Sequence, residues 1–98
     1  MAAYTHGPGG ARAVLNLTVP TVVKASAGVL YRVIMVDVPT AAGGIYDTNS
    51  LATISPSNRI DIIPGSLGQS ADFYLDWPCH VGIVVDPGTN GIVSVSYT

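Results

Sequence analysis

The sequence predicts an all-β chain. Residues 13–98 read as one small, jelly-roll-like β-sandwich of about eight short antiparallel strands, and residues 1–12 as a flexible N-terminal arm. Three observations carry this. Short apolar runs recur every ten residues or so, separated by proline and glycine turn signals, the spacing of a sandwich or barrel. In the last run Val93, Val95 and Tyr97 share one face and Ser94 and Ser96 the other. That period of two suits a strand with one face on a core and one on water. No stretch keeps the i, i+3, i+4, i+7 spacing of an amphipathic helix over three turns. Ninety-eight residues fit a single domain, and a chain of that size buries about 60–65% of the surface its unfolded form exposes.

The elements follow in order. Gly7, Pro8, Gly9 and Gly10 carry no hydrophobic pattern to offset the entropy of ordering, hence the arm. Residues 13–17 and 21–25 are two strands split by Thr18, Val19 and Pro20. Residues 26–28 form a tight turn, with Gly28 supplying positive φ. The longest strand is 29–38: Leu30, Ile34, Val36 and Val38 flank Arg32 on one face, with Val29, Tyr31, Val33 and Met35 on the other. Two apolar faces predict a central strand, or one covered on both sides. Residues 39–44 end it, and 45–48 are a short strand before the polar pair Asn49 and Ser50. Residues 51–55 are ambiguous. Residues 58–63 are a strand stopped by Pro64 and Gly65, and 66–70 are a loop. In residues 71–76, Phe73 and Leu75 oppose Asp72, Tyr74 and Asp76, and Trp77–Pro78 ends the strand. Residues 79–85 and 91–97 then form a closing hairpin around a loop at 86–91, with Pro87 and Gly88 as the centre of a type II turn.

Composition narrows function more by exclusion than by signal. The chain is 48% hydrophobic and 10% charged, with a formal charge of −2 and no glutamate, against an average charged share of about 25%. A surface so poor in charge suggests coverage by copies of itself or by another protein, or a neutral Ser/Thr-rich sheet face. No basic patch marks a nucleic-acid partner. No apolar run is long enough for a bilayer, since Arg32 and Asp37 break the longest stretch. The first ten residues lack the layout of a secretory signal, and the single cysteine, Cys79, suits a reducing cytoplasm.

No catalytic constellation emerges, so no enzyme and no cofactor are expected. Cys79 and His80 adjoin, yet neighbours on a strand point to opposite faces. Cys79 shares register with Val81, Ile83 and Val85, a core position, and His80 reads as a surface histidine. Two histidines without a cysteine or acid cluster make no metal site. The 86–91 loop lacks the alternating acids and distal glutamate of a calcium loop. Gly7–Gly10 neither follows a strand nor opens a helix, so it is no phosphate loop. The triplet Asn16, Leu17, Thr18 has the form of a glycosylation site but would need secretion. Asp37, Asp76 and Asp86, at strand ends, read as caps for turn backbone. Trp77, before Pro78, either caps the core or anchors an interface. Tyr4 in the arm has nothing local to bury it and reads as an interface aromatic, while Tyr46 and Tyr74 fit either role.

From about residue 22 onward the chain resembles small structural proteins of tailed bacteriophages, of the capsid decoration or cement kind. The likeness is carried by Val23-Lys24-Ala25-Ser26-Ala27-Gly28-Val29-Leu30, Gly44-Ile45-Tyr46-Asp47, Ile62-Ile63-Pro64, Leu75-Asp76-Trp77-Pro78-Cys79, Gly82-Ile83-Val84-Val85-Asp86-Pro87-Gly88 and Val93-Ser94-Val95-Ser96-Tyr97. These are turns and strands rather than a functional signature, and the arm lies outside them. The resemblance implies a homotrimer or homodimer that binds across subunits of a major capsid protein on the virion surface. It also implies an arm that reaches a neighbouring subunit, placing Tyr4 and Arg12 in contacts, with Trp77 as a third interface candidate. The alternatives are a tail, fibre or baseplate accessory built on the same unit, or a carbohydrate-binding module in which Trp77, Tyr46 or Tyr74 stack on sugars.

Overall fold

A computed structural model describes residues 11–66 and 71–98 in full and the backbone of 3–6. The strands are β1 (Ala3–His6), β2 (Arg12–Leu17), β3 (Thr21–Lys24), β4 (Gly28–Asp37), β5 (Gly43–Tyr46), β6 (Arg59–Ile63), β7 (Asp72–Cys79), β8 (Ile83–Asp86) and β9 (Ile92–Tyr97). Two antiparallel sheets face each other. One has the order β1-β2-β9-β4-β7 and the other β3-β8-β5-β6. The pairing is nested: β2 lies beside β9, β3 beside β8, β4 beside β7 and β5 beside β6. Residues 3–6, expected within the arm, form β1 antiparallel to β2, and Arg12 opens β2 itself. The rest of the arm, residues 1, 2 and 7–10, lies outside the described residues.

The core sits between the sheets. Val14, Leu17, Leu30, Val33, Met35, Val93, Val95 and Tyr97 come from one sheet, and Val23, Ile45, Ile63, Ile83 and Val85 from the other. β9 shows the alternation that its sequence predicts, with Val93, Val95 and Tyr97 buried and Ser94 and Ser96 turned outward.

Four expectations change. Residues 79–85 and 91–97 are not a hairpin. β8 pairs with β3 and β5 in one sheet while β9 lies between β2 and β4 in the other, so the loop at 86–91 crosses between sheets. Positive φ occurs there as expected, with Gly88 at +84° and Asn90 at 61°, but the turn bond runs from the Gly91 N–H to the Gly88 carbonyl, so the turn centres on Thr89 and Asn90 rather than on Pro87 and Gly88. Second, Trp77 and Pro78 do not end a strand but belong to β7. An edge strand tolerates proline because its outward N–H has no ladder partner to lose. Third, β4 lies between β9 and β7 as a central strand should, but the two faces read for it change. An irregularity between Leu30 and Arg32 shifts its phase, so that Leu30, Val33 and Met35 point inward, Val36 is exposed, and Arg32 and Ile34 face out. Fourth, Gly28 opens β4 without positive φ. Its lack of a side chain is needed because a Cβ would lie 2.1 Å from the Thr98 carbonyl oxygen.

Of residues 51–55, left ambiguous, Leu51–Thr53 form a short 3₁₀ turn, and a second follows at Pro56–Asn58. Serines cap both: the Ser50 hydroxyl accepts the Ala52 N–H and the Ser55 hydroxyl accepts the Ser57 N–H. Asn58 completes a reciprocal capping box by accepting the Ser55 N–H.

Candidate functional site

Strand β7 is the outer edge of the larger sheet, and the sequence protects that edge from adding further strands. Asp72 and Asp76 are exposed along it, Pro78 removes a donor, and Asp76 sits at φ 45° in an irregularity that puts two residues opposite Tyr31. The same irregularity divides the two exposed aromatics of β7. Tyr74 pairs with Arg32 on the outer face, whereas Trp77 pairs with Leu30, which points into the core. The two rings therefore serve different surfaces.

On the outer face, Tyr74 is 70% exposed. The Arg32 guanidinium lies 4.4 Å from its ring centroid, a cation–π contact across neighbouring strands. Beside it a shallow groove of about 130 Å³ is lined by Ala13, Leu15, Arg32, Ile34, Ser94, Val95 and Ser96. Register assembles it: Ala13, Ser96, Arg32 and Tyr74 form one rung across four strands, and Ser94, Ile34 and Asp72 the next. Ser94 Oγ accepts the Asn16 N–H at 3.1 Å, holding the irregular end of β2, where Asn16 adopts φ 58°. Arg32 Nε is buried and has no hydrogen-bond acceptor among the described residues.

On the other side, Trp77 walls a wider cleft of about 410 Å³ with Asp47, Ser57, Asn58, Arg59 and Ile60. This places the edges β6 and β7 on the same flank of the sandwich. Trp77 is 48% exposed there, neither a buried cap nor a free surface ring.

Asp47 fixes the end of that cleft. Its Oδ2 accepts the His80 N–H at 3.0 Å, and its Oδ1 accepts those of Val81 and Gly82 at 2.8 and 3.2 Å. Burial pushes its carboxyl pKa up, but the three backbone donors and the nearby His80 outweigh burial and hold it below the ordinary value. The clip also explains why Val81, expected in the core, is exposed. Residues 80–82 form a turn wrapped around the carboxylate rather than strand.

Cys79 takes its expected core position, and burial followed by the charge of Asp47 pushes its thiol up to about 11. His80 is exposed, so the adjacent pair forms no dyad. No cluster of three or more metal-ligating side chains occurs among the described residues, and none of their helices is long and apolar enough to cross a membrane.

The three interface candidates are not brought together. Arg12 is exposed on β2 and Tyr4 lies in β1 opposite Val14, toward one edge of the larger sheet, whereas Trp77 stands at the other edge. The Tyr4 side chain lies outside the described residues. Tyr46 is half-buried on β5, folded back over Gly44. Sequence reasoning missed Asp47 and the Arg32–Tyr74 pair. A lone arginine inside the most apolar strand was the signal for the second, and an aspartate just after a short strand, in an Asx-rich turn, for the first. Compared with protein-family models, with curated proteins and with solved structures, the chain matches none.

Proposed function

We propose that this protein is a non-enzymatic structural subunit of a bacteriophage virion, a capsid decoration protein that binds across major capsid subunits. The observation that carries the reading is the character of its surface. Leu15, Val19, Val36, Leu51, Ile62, Tyr74, Trp77 and Val81 are large apolar side chains left exposed on a chain with only ten charged residues. Such a surface suits an assembled state in which protein covers much of it. The nested strand order supports the jelly-roll reading, an architecture found in viral capsid domains and also in lectins.

The lectin association keeps a carbohydrate-binding module as the second reading, favoured by the exposure of Tyr74. A sugar platform needs rings sharing a plane, and here Trp77 faces away from Tyr74 while Tyr46 is half-buried. One ring is a weaker base for that reading than an apolar surface is for assembly.

The test is co-assembly with the major capsid protein encoded in the same genome. Shells assembled with and without this protein are sedimented and then heated. Co-sedimentation at fixed stoichiometry, with a higher shell melting temperature, is the expected result. A protein that stays in the supernatant beside intact shells overturns the head assignment, and retention on an immobilised glycan panel would then favour the second reading.

A further inference from the structure

We propose that the outer face of the five-stranded sheet is a self-association surface, forming a two-fold dimer in which Asp72 of each copy accepts hydrogen bonds from Arg32 of the other. This goes beyond the proposed function and does not depend on capsid binding.

Arg32 gives the first argument. Its guanidinium lies 4.4 Å from the Tyr74 ring centroid. Its Nε is enclosed by its own chain, so a partner's carboxylate meets the guanidinium at its terminal nitrogens. The groove beside it has apolar walls, Leu15 on β2 and Ile34 on β4, with Ser94 and Ser96 of β9 between them. This combination suits a partner bringing a carboxylate within an apolar surround.

Asp72 gives the second. It is exposed on the same sheet, on the strand next to Arg32 and one rung away, since Asp72 pairs with Ile34 and Tyr74 with Arg32. A two-fold axis lying in the plane of this face and bisecting the two positions exchanges them. Both charge pairs then form at once, the self-complementarity that an isologous interface requires. Tyr74, between them, becomes a central aromatic screened from water, the usual place of an interface hot spot.

Size gives the third. The molecule measures 34 × 30 × 23 Å, and a molecule of that size can supply the roughly 800 Å² per partner of a standard interface.

The experiment is a charge swap read by light scattering behind size exclusion, with folding followed by circular dichroism. The full-length protein is expected to be a dimer at micromolar concentration. Arg32→Asp and Asp72→Arg should each weaken it by at least about tenfold, because each places like charges opposite one another. Mixing the two variants should restore a dimer, since both pairs are then complementary. Leu15→Glu, on the exposed groove wall, should also abolish the dimer with the fold intact, which keeps the test decisive if a swap variant fails to fold. A monomeric full-length protein, or a dimer indifferent to Leu15→Glu and to both swaps, overturns the proposal. So does a mixture no tighter than its components. Either result leaves the shell assay free to succeed or fail by itself.

Discussion

Asp47 Oδ1 accepts the Val81 N–H at 2.8 Å across 34 positions of sequence, tying the end of β5 to the turn that joins the two sheets. With the bonds from His80 and Gly82, one carboxylate orders the whole β7–β8 connection. Asp47→Ala should cost about 1–2 kcal/mol, because three largely exposed turn N–H groups lose a charged acceptor that water only partly replaces. Asp47→Asn should cost less. Chemical denaturation at pH 7 measures both.

The same site sets an acid limit. The folded carboxyl pKa lies below its ordinary value of 3.8, so the native state holds the charged form more strongly than the unfolded chain does. Its contribution is full above 3.8 and is lost as pH falls through the depressed folded value. Melting curves between pH 5 and 2 should therefore fall more steeply for the natural protein than for Asp47→Asn.

Cys79 has the opposite sign. Its folded thiol is raised from 9.0 to about 11, so the fold favours the neutral form, and that preference weakens stability as pH climbs from 9.0 toward 11. At pH 8 the buried thiol should resist a disulfide reagent while folded and react at once in denaturant. Rapid labelling of the native protein would contradict its core placement.

Gly43 is a position where a methyl group meets only backbone. A Cβ there would lie 2.0 Å from the Asp86 carbonyl oxygen and 2.5 Å from the Gly88 nitrogen, all backbone. Gly43→Ala should destabilise by about 2–3 kcal/mol, at the upper end of overpacking costs. A melting temperature within a degree of the natural protein's would refute this.

Trp77 separates stability from assembly. It is half-exposed over the cleft between β6 and β7, so Trp77→Ala should cost well under the roughly 3–5 kcal/mol of a buried tryptophan. If Trp77 anchors capsid contacts, the same variant should weaken shell binding by tenfold or more. Equal binding with lowered stability would assign it to the core rim alone.

Strands were legible from the sequence where one face is buried and the other wet, as in β9. They were misread where the chain departs from regular geometry. The phase of β4 turns on an irregularity between Leu30 and Arg32, and β7 continues through Trp77 and Pro78 because it is an edge. Periodicity cannot reveal either, since both depend on neighbours distant in sequence. Sheet partnership was equally hidden: the loop at 86–91 has hairpin chemistry, yet β8 and β9 join different sheets. Cys79 is buried as expected, but as the last residue of β7 opposite Gly28 rather than through a register shared with Val81 and Ile83. Asp47 was not legible, because its role exists only once His80, Val81 and Gly82 turn around it.

Of the described strands, the one furthest along the chain occupies a middle place. β9 lies between β2 and β4, so until it emerges the larger sheet is split, with β2 and β4 each lacking a neighbour. Nested pairing makes nearly every ladder join residues far apart in sequence, a topology that folds on the millisecond-to-second scale rather than in microseconds. The polypeptide must therefore stay unaggregated while its apolar strands wait for their partner. Ribosome-bound fragments lacking β9 should remain protease-sensitive throughout, gaining protection in one step when residues 92–97 become free.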